Sequence, residues 1–137
     1  MLYEEITSKI LEACFEVSNS LGIGYIESVY ENALFVCLIQ NGIKVERQVP
    51  LKVKFRDVIV GDFRADMIVE GKVLLELKAV DSLAKEHFAQ LLNYLKTTGV
   101  AVGMVINFGN PRLQYRRFEN RFDRNAEMAD AFKEVLD

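Results

Sequence analysis

The stretch Phe63-Arg64-Ala65-Asp66-Met67-Ile68-Val69, Glu70-Gly71-Lys72, Val73-Leu74-Leu75-Glu76-Leu77-Lys78 decides the fold. Two apolar runs of strand length flank a glycine turn, the pattern of a β-hairpin. Both runs are apolar at consecutive positions, as in strands covered on both faces. Apart from Arg64 near the start, Asp66, Glu76 and Lys78 are the exceptions. A charge on a buried strand costs several kcal/mol unless it is paired or bound to a metal, so these three need a reason. Strand side chains alternate between faces, which puts Glu76 and Lys78 on one face. The turn decides whether Asp66 joins them. A two-residue turn at Glu70-Gly71 sets Asp66 opposite Leu75 and away from Glu76. A three-residue turn, Glu70-Gly71-Lys72, sets Asp66 opposite Glu76. We expect that register, or an equivalent bulge, with the three charges converging.

Outward from the hairpin, the chain alternates between helical and strand periodicity. Leu2, Ile6, Ile10, Ala13, Cys14, Val17 and Leu21 recur at spacings of three and four, a helix over 2–21 that stops at Gly22-Ile23-Gly24. A second helix is expected over 26–41, stopped by Gly42. Val45 to Val49 alternate as a strand, and a further strand starts after Pro50, from Leu51 to Phe55. Phe63–Val69 and Val73–Ala79 follow. A helix over 82–98 ends at Gly99. A buried strand over 100–106, a short strand over 113–118 after Pro111 and a last helix over 125–136 complete the order. This is an α/β (α+β) pattern, a mixed sheet between helical layers, in one domain over 1–137.

Composition sets limits on function. The chain has 137 residues, 50% hydrophobic and 27% charged, an ordinary globular balance. Cys14 and Cys37 lie in apolar helical stretches and read as buried thiols, which points to a reducing, cytoplasmic setting. The longest apolar runs, Ala33–Ile39 and Val100–Ile106, have seven residues each, so no membrane span is expected. The opening Met-Leu-Tyr-Glu-Glu is acidic where a secretory leader is basic. A net charge of −3 excludes a general polyelectrolyte grip on nucleic acid. The charge is uneven, however. Residues 112–124 carry five arginines against Glu119 and Asp123.

Two carboxylates and an amine at one point suit a hard divalent cation, Mg²⁺ or Mn²⁺. Asp66 and Glu76 are the expected ligands, with the Leu77 carbonyl beside them. The ion would polarise a phosphoryl oxygen and acidify a water, while Lys78 orients that water or offsets charge. The competing reading is a Glu76–Lys78 ion pair that only joins strands. Two helices add polar groups. Glu27 and Tyr30 share a helix face, with Glu27 in the first turn, where the dipole favours an acid. Glu27 is equally compatible with an ordinary first-turn acid. His87, Gln90 and Tyr94 form a polar stripe at spacings of three and four, which turns Gln90 toward something polar at the sheet. His87, the sole histidine, reads as a surface or supporting residue. Nucleic-acid contact needs positive charge near the site. Arg64 shares the face of Asp66 if the strand is regular. Arg112, Arg116 and Arg117, interleaved with Tyr115, Phe118 and Phe122, are the second candidate patch, and a solvated edge strand is the alternative. Tyr94 is a further candidate contact.

Asp66, then Glu76-Leu77-Lys78 ten residues on, then Gln90 on the next helix, resembles the site of the PD-(D/E)XK nuclease superfamily. Gly24-Tyr25-Ile26-Glu27-Ser28-Val29-Tyr30 is similar to the name-giving motif of the GxxExxY proteins, small members of that superfamily. Phe63-Arg64-Ala65-Asp66, Glu76-Leu77-Lys78-Ala79-Val80, Gln90-Leu91-Leu92-Asn93-Tyr94-Leu95 and Ile106-Asn107-Phe108-Gly109 also resemble it. The resemblance spans roughly 3–118. It implies a restriction-endonuclease-like αβββαβ core and a metal-dependent phosphodiesterase acting on DNA rather than RNA. It implies Glu27, Asp66 and Glu76 as metal ligands or metal-adjacent acids, Lys78 as the catalytic lysine and Gln90 as its assistant. Ala65 stands where the nominal motif has proline. A single domain offers a single site, so cutting both strands would take a homodimer or two visits. The alternative is a non-catalytic nucleic-acid- or protein-binding module that keeps the fold and the acids.

Overall fold

The computed structural model describes residues 1–121, and the helix expected over 125–136 lies outside the described residues. The chain runs α1 (Glu4–Leu21), α2 (Glu27–Gln40), β1 (Val45–Phe55), β2 (Val58–Val69), β3 (Val73–Lys78), α3 (Lys85–Thr98), β4 (Val102–Asn107) and β5 (Gln114–Glu119). The five strands form one sheet in the order β1-β2-β3-β4-β5. β3 and β4 are parallel and the other neighbours antiparallel. Parallel neighbours need a crossover, and α3 supplies it.

Alternation along the strands divides the core in two. Val73, Leu75 and Leu77 of β3 pack with Met104 and Ile106 under α1 and α2. Leu74 and Val105 pack on the other face, against Leu91, Leu92 and Leu95 of α3. A Cβ on Gly103 would stand 3.0 Å from the side chains of Leu91 and Leu95, so glycine lets α3 settle on β4. Glu76 and Lys78 thus lie on the same face of β3 as Leu74, the face toward α3.

The β2–β3 register is the expected one. Val69 pairs with Val73, Ile68 with Leu74 and Met67 with Leu75, leaving the three-residue turn 70–72. Glu70 and Gly71 take positive φ (54° and 65°), and the Lys72 amide donates to the Val69 carbonyl at 2.9 Å.

Several boundaries differ from the sequence reading. β1 does not restart after Pro50; it runs through the proline, which pairs with Arg64. β1 is an edge strand, and an edge tolerates a residue without an amide donor. β2 begins at Val58 rather than Phe63, because Arg56 and Asp57 both adopt positive φ (49° and 63°) and close a two-residue hairpin loop. α3 begins at Lys85 rather than Ser82. There His87 Nδ1 accepts the Ala84 amide at 2.9 Å, half of a capping box. β4 begins at Val102 rather than Val100.

Cys14 is buried and Cys37 half-buried, and both are free thiols. Among the described residues no helix is long and apolar enough to cross a membrane.

Candidate active site

The loop before α2 fixes where that helix starts. Tyr30 is fully buried, stacked on Phe108 with centroids 5.0 Å apart. Its hydroxyl donates to the Gly22 carbonyl at 2.6 Å and accepts the Tyr25 amide at 3.3 Å. Tyr30 is therefore a brace for the turn at 22–25, and Glu27 follows as the first helical residue. Glu31, one turn on, accepts Arg47 Nη2 at 2.8 Å and Gln48 Nε2 at 2.7 Å. This ties α2 to β1 beside the sheet's central charges.

The sheet is irregular at that point. β1 and β2 pair in one register from Val45/Val69 to Val53/Gly61, but the Gln48/Asp66 pair is missing and Gln48 takes φ 48°. Met67 and Val69 pack under α1 and α2, whereas Ala65 and Leu51 pack under α3. The strands therefore exchange faces at Asp66. β2 and β3 also part there. The Asp66 amide donates to Glu76 Oε2 at 2.9 Å, and the Leu77 amide donates to Asp66 Oδ2 at 2.7 Å. Each carboxylate takes the place of a ladder carbonyl on the opposite strand.

The two acids are opposed, as the three-residue turn requires. Glu76 is 3% exposed and Asp66 half-buried. Burial, then the Asp66 charge, pushes the Glu76 carboxyl up to about 8, against the pull of the Asp66 amide and Lys78. Burial also raises Asp66, with Glu31 and Glu27 adding to it and the Leu77 amide and Lys78 opposing it. Such a pair favours its proton, or any cation that replaces it.

Lys78 is not spent on an ion pair with these acids. Its Nζ donates to Gln90 Oε1 at 2.9 Å, and Gln90 Nε2 donates to the Tyr94 hydroxyl at 3.3 Å. Gln90 does face the polar point of the sheet. Tyr94 is nearly buried, and burial followed by the Glu76 charge raises its pKa.

Above Asp66 lies a cleft of about 480 Å³, lined by Glu27, Glu31, Arg47, Gln48, Asp66 and Leu77. Glu27 and Asp66 thus meet across one space. Glu31, Arg47 and Gln48 were not singled out by the sequence. Glu31 stands four residues after Glu27, which places both on one helix face and is the signal that finds it.

The arginines are dispersed. Arg64 lies past the exchange of faces and donates to the Gln48 carbonyl at 3.3 Å. Arg116 lies over Phe88 and Phe118 on the α3 side. Arg117 bonds Glu119 at 2.9 Å and the Leu2 carbonyl on the opposite side. The backbone amide of Arg112 is held by Asn110. Arg124 and Phe122 lie outside the described residues.

The donor set fits a hard cation. It offers two opposed carboxylates, the backbone at Leu77 and a cleft for water. Among the described residues no group of three or more His, Cys, Asp or Glu is close enough to enclose an ion. A hard divalent cation that keeps several waters can be held by one or two carboxylates.

Comparison with known proteins bears on the fold and the family. The structure is similar to the crystal structure of SSO0001 at a TM-score of 0.57 and 19% identity, covering 80% of this chain and 56% of that one. It is similar to an alkaline exonuclease (LHK-Exo) from Laribacter hongkongensis at a TM-score of 0.53 and 14% identity, covering 99% of this chain and 80% of that one. The fold is restriction-endonuclease-like. No functionally curated protein matches the sequence. A family model does match residues 4–118, the stretch that holds every acid of the site, and the chain belongs to the PD-(D/E)XK nuclease superfamily.

Proposed function

We propose that this chain, a single domain of the GxxExxY kind, is a Mg²⁺- or Mn²⁺-dependent nuclease that hydrolyses phosphodiester bonds of DNA in the cytoplasm. The opposed pair Asp66 and Glu76, at the point where β2 and β3 part, carries this reading. Asp66 and Glu76 would hold the cation, with the Leu77 carbonyl and Glu27 as further candidate ligands. When bound, it offsets phosphoryl charge and acidifies water.

This chain's own residues do the rest. Glu76 and Asp66 would have to be ionised to hold the cation. Gln90 holds the Lys78 amine through its Oε1, so Lys78 orients the attacking water and meets charge that develops on phosphate. Glu31 holds α2 against β1 and so positions Glu27. Arg64 is the nearest candidate for a phosphate contact from β2.

The test is incubation with single-stranded, duplex and branched DNA, and with RNA, in Mn²⁺, beside Lys78→Ala. Cleavage of DNA that Lys78→Ala abolishes supports the reading. Equal cleavage by the variant would assign the activity to a contaminant.

A binding module that does not cut is the second reading. The bonds of both carboxylates to strand amides favour it, because they satisfy the acids without an ion. Calorimetric titration with Mn²⁺ separates the two. Heat of binding in the wild type that Asp66→Ala removes supports the nuclease, and no binding in either supports the module.

A further inference from the structure

A second cavity, of about 580 Å³, opens on the α3 side of the sheet between that helix and the β1–β2 hairpin. Phe63 lines it from β2, and Glu86, Gln90, Asn93, Tyr94 and Lys96 line it from α3. Gln90 and Tyr94 end the chain of hydrogen bonds that starts at Lys78. The cavity and the candidate cleavage site therefore share a wall.

Phe63 is an aromatic ring left 46% exposed on a strand. A Cβ on Gly61 would stand 2.7 Å from its Cε2, so a side chain at 61 would push the ring aside. Tyr94 lies beside it, with centroids 5.9 Å apart and planes tilted by 43°. The polar part of the remaining lining is two amides, Gln90 and Asn93, the Thr97 hydroxyl and one charge of each sign, Glu86 and Lys96, while Val53 and Ala89 are apolar. Amides offer donors and acceptors together, the complement of a base edge. Balanced charge gives no reason for a phosphate to enter. A neutral planar heterocycle matches ring, amides and charge at once. The volume lies in the range of small-molecule sites, roughly 300–1,000 Å³.

We infer that this cavity receives one unpaired nucleobase of the strand being cut, stacked on Phe63, next to the phosphate at Asp66 and Glu76. The inference rests on the nuclease reading for its placement, though not for its test. A base inside a duplex is stacked and paired and cannot reach such a cavity without being turned out. The substrate is therefore a single strand or a frayed end.

Binding is measured in EDTA, where cleavage cannot intervene, by fluorescence anisotropy. A labelled thymidine oligonucleotide is compared with an abasic sugar-phosphate chain of equal length and charge. The wild type should bind the thymidine chain about ten-fold more tightly, the size of one base–aromatic stack. Phe63→Ala should bind both chains equally weakly, and Phe63→Trp should restore the preference. Equal binding of the two chains by the wild type overturns the inference. So does a preference that survives in Phe63→Ala. Thymidine monophosphate that displaces the oligonucleotide at equal concentration would assign the cavity to free nucleotides and overturn the role in strand binding. Adding Mn²⁺ then tests cleavage separately. A Phe63-dependent preference without cleavage sinks the nuclease reading and leaves the base site standing.

Discussion

Glu76→Gln should make the metal-free protein more stable at neutral pH, although it removes a residue of the candidate active site. Glu76 titrates near 4.5 when exposed and at about 8 in the fold. Between these values the folded state holds a proton that the unfolded chain has released. Stability therefore falls as pH rises through that window and levels off above about 8. Each unit is worth about 1.4 kcal/mol, so at pH 7 the ceiling is about 3 kcal/mol. Relaxation and water entry lower it, and we expect roughly 2 kcal/mol. Glutamine resembles the protonated acid: its Oε1 can accept the Asp66 amide and its Nε2 can donate to the Asp66 carboxylate. The assay is urea denaturation in EDTA from about pH 5 to pH 8.5. The wild type should lose stability across this range, and Glu76→Gln should lose much less. Mn²⁺ should then raise the wild-type midpoint and leave the variant's unchanged. A wild-type stability that is flat in pH, or a variant that is weaker than wild type at pH 8, would refute the account of a strained carboxylate pair.

Other perturbations separate positioning from packing. Gln90→Leu should lower kcat of Mn²⁺-driven DNA cleavage by about ten-fold or more, because a misplaced amine costs transition-state stabilisation, while Mn²⁺ affinity by calorimetry stays within two-fold. Tyr30→Phe removes the bonds to Gly22 and Tyr25 inside the core and should cost about 1–3 kcal/mol in denaturant melts. Glu31→Gln weakens the tie to Arg47 and takes away a charge that raises Asp66, so the Asp66 carboxyl should titrate lower by carbon-detected NMR.

The parts of the fold that local chemistry dictates were legible. The glycine turn at 70–72 set the register of β2 and β3, and that register alone put Asp66 opposite Glu76. The consecutive apolar runs marked the covered strands. Gln90 could be placed because a polar residue on an otherwise apolar helix face has to meet something polar. The β1–β2 hairpin was harder. Its turn is Arg56-Asp57, which carries no glycine or asparagine, yet both residues adopt positive φ. The apolar residues Val58, Ile59 and Val60, more than half exposed, gave no alternation to read. The exchange of faces at Gln48 and Asp66 had no signature in the sequence either. Pattern arguments assume a regular pleat, so they carry no mark of the point where the pleat breaks.

That irregularity has a physical logic. A regular ladder would use the amides of Asp66 and Leu77 to bond neighbouring carbonyls, and the strands would close over the site. Once the strands part, two buried amides need acceptors, since an unpaired buried donor costs about 1–3 kcal/mol. Asp66 and Glu76 supply those acceptors reciprocally, Asp66 to the Leu77 amide and Glu76 to the Asp66 amide. The acids thus hold open the gap in which they sit. They also repel one another, and Lys78 relieves this only at a distance because Gln90 holds its amine. A sheet optimised for stability alone would bring that amine against the carboxylates and neutralise them. Keeping it on an amide leaves the pair short of positive charge, the condition under which a divalent cation gains most by entering.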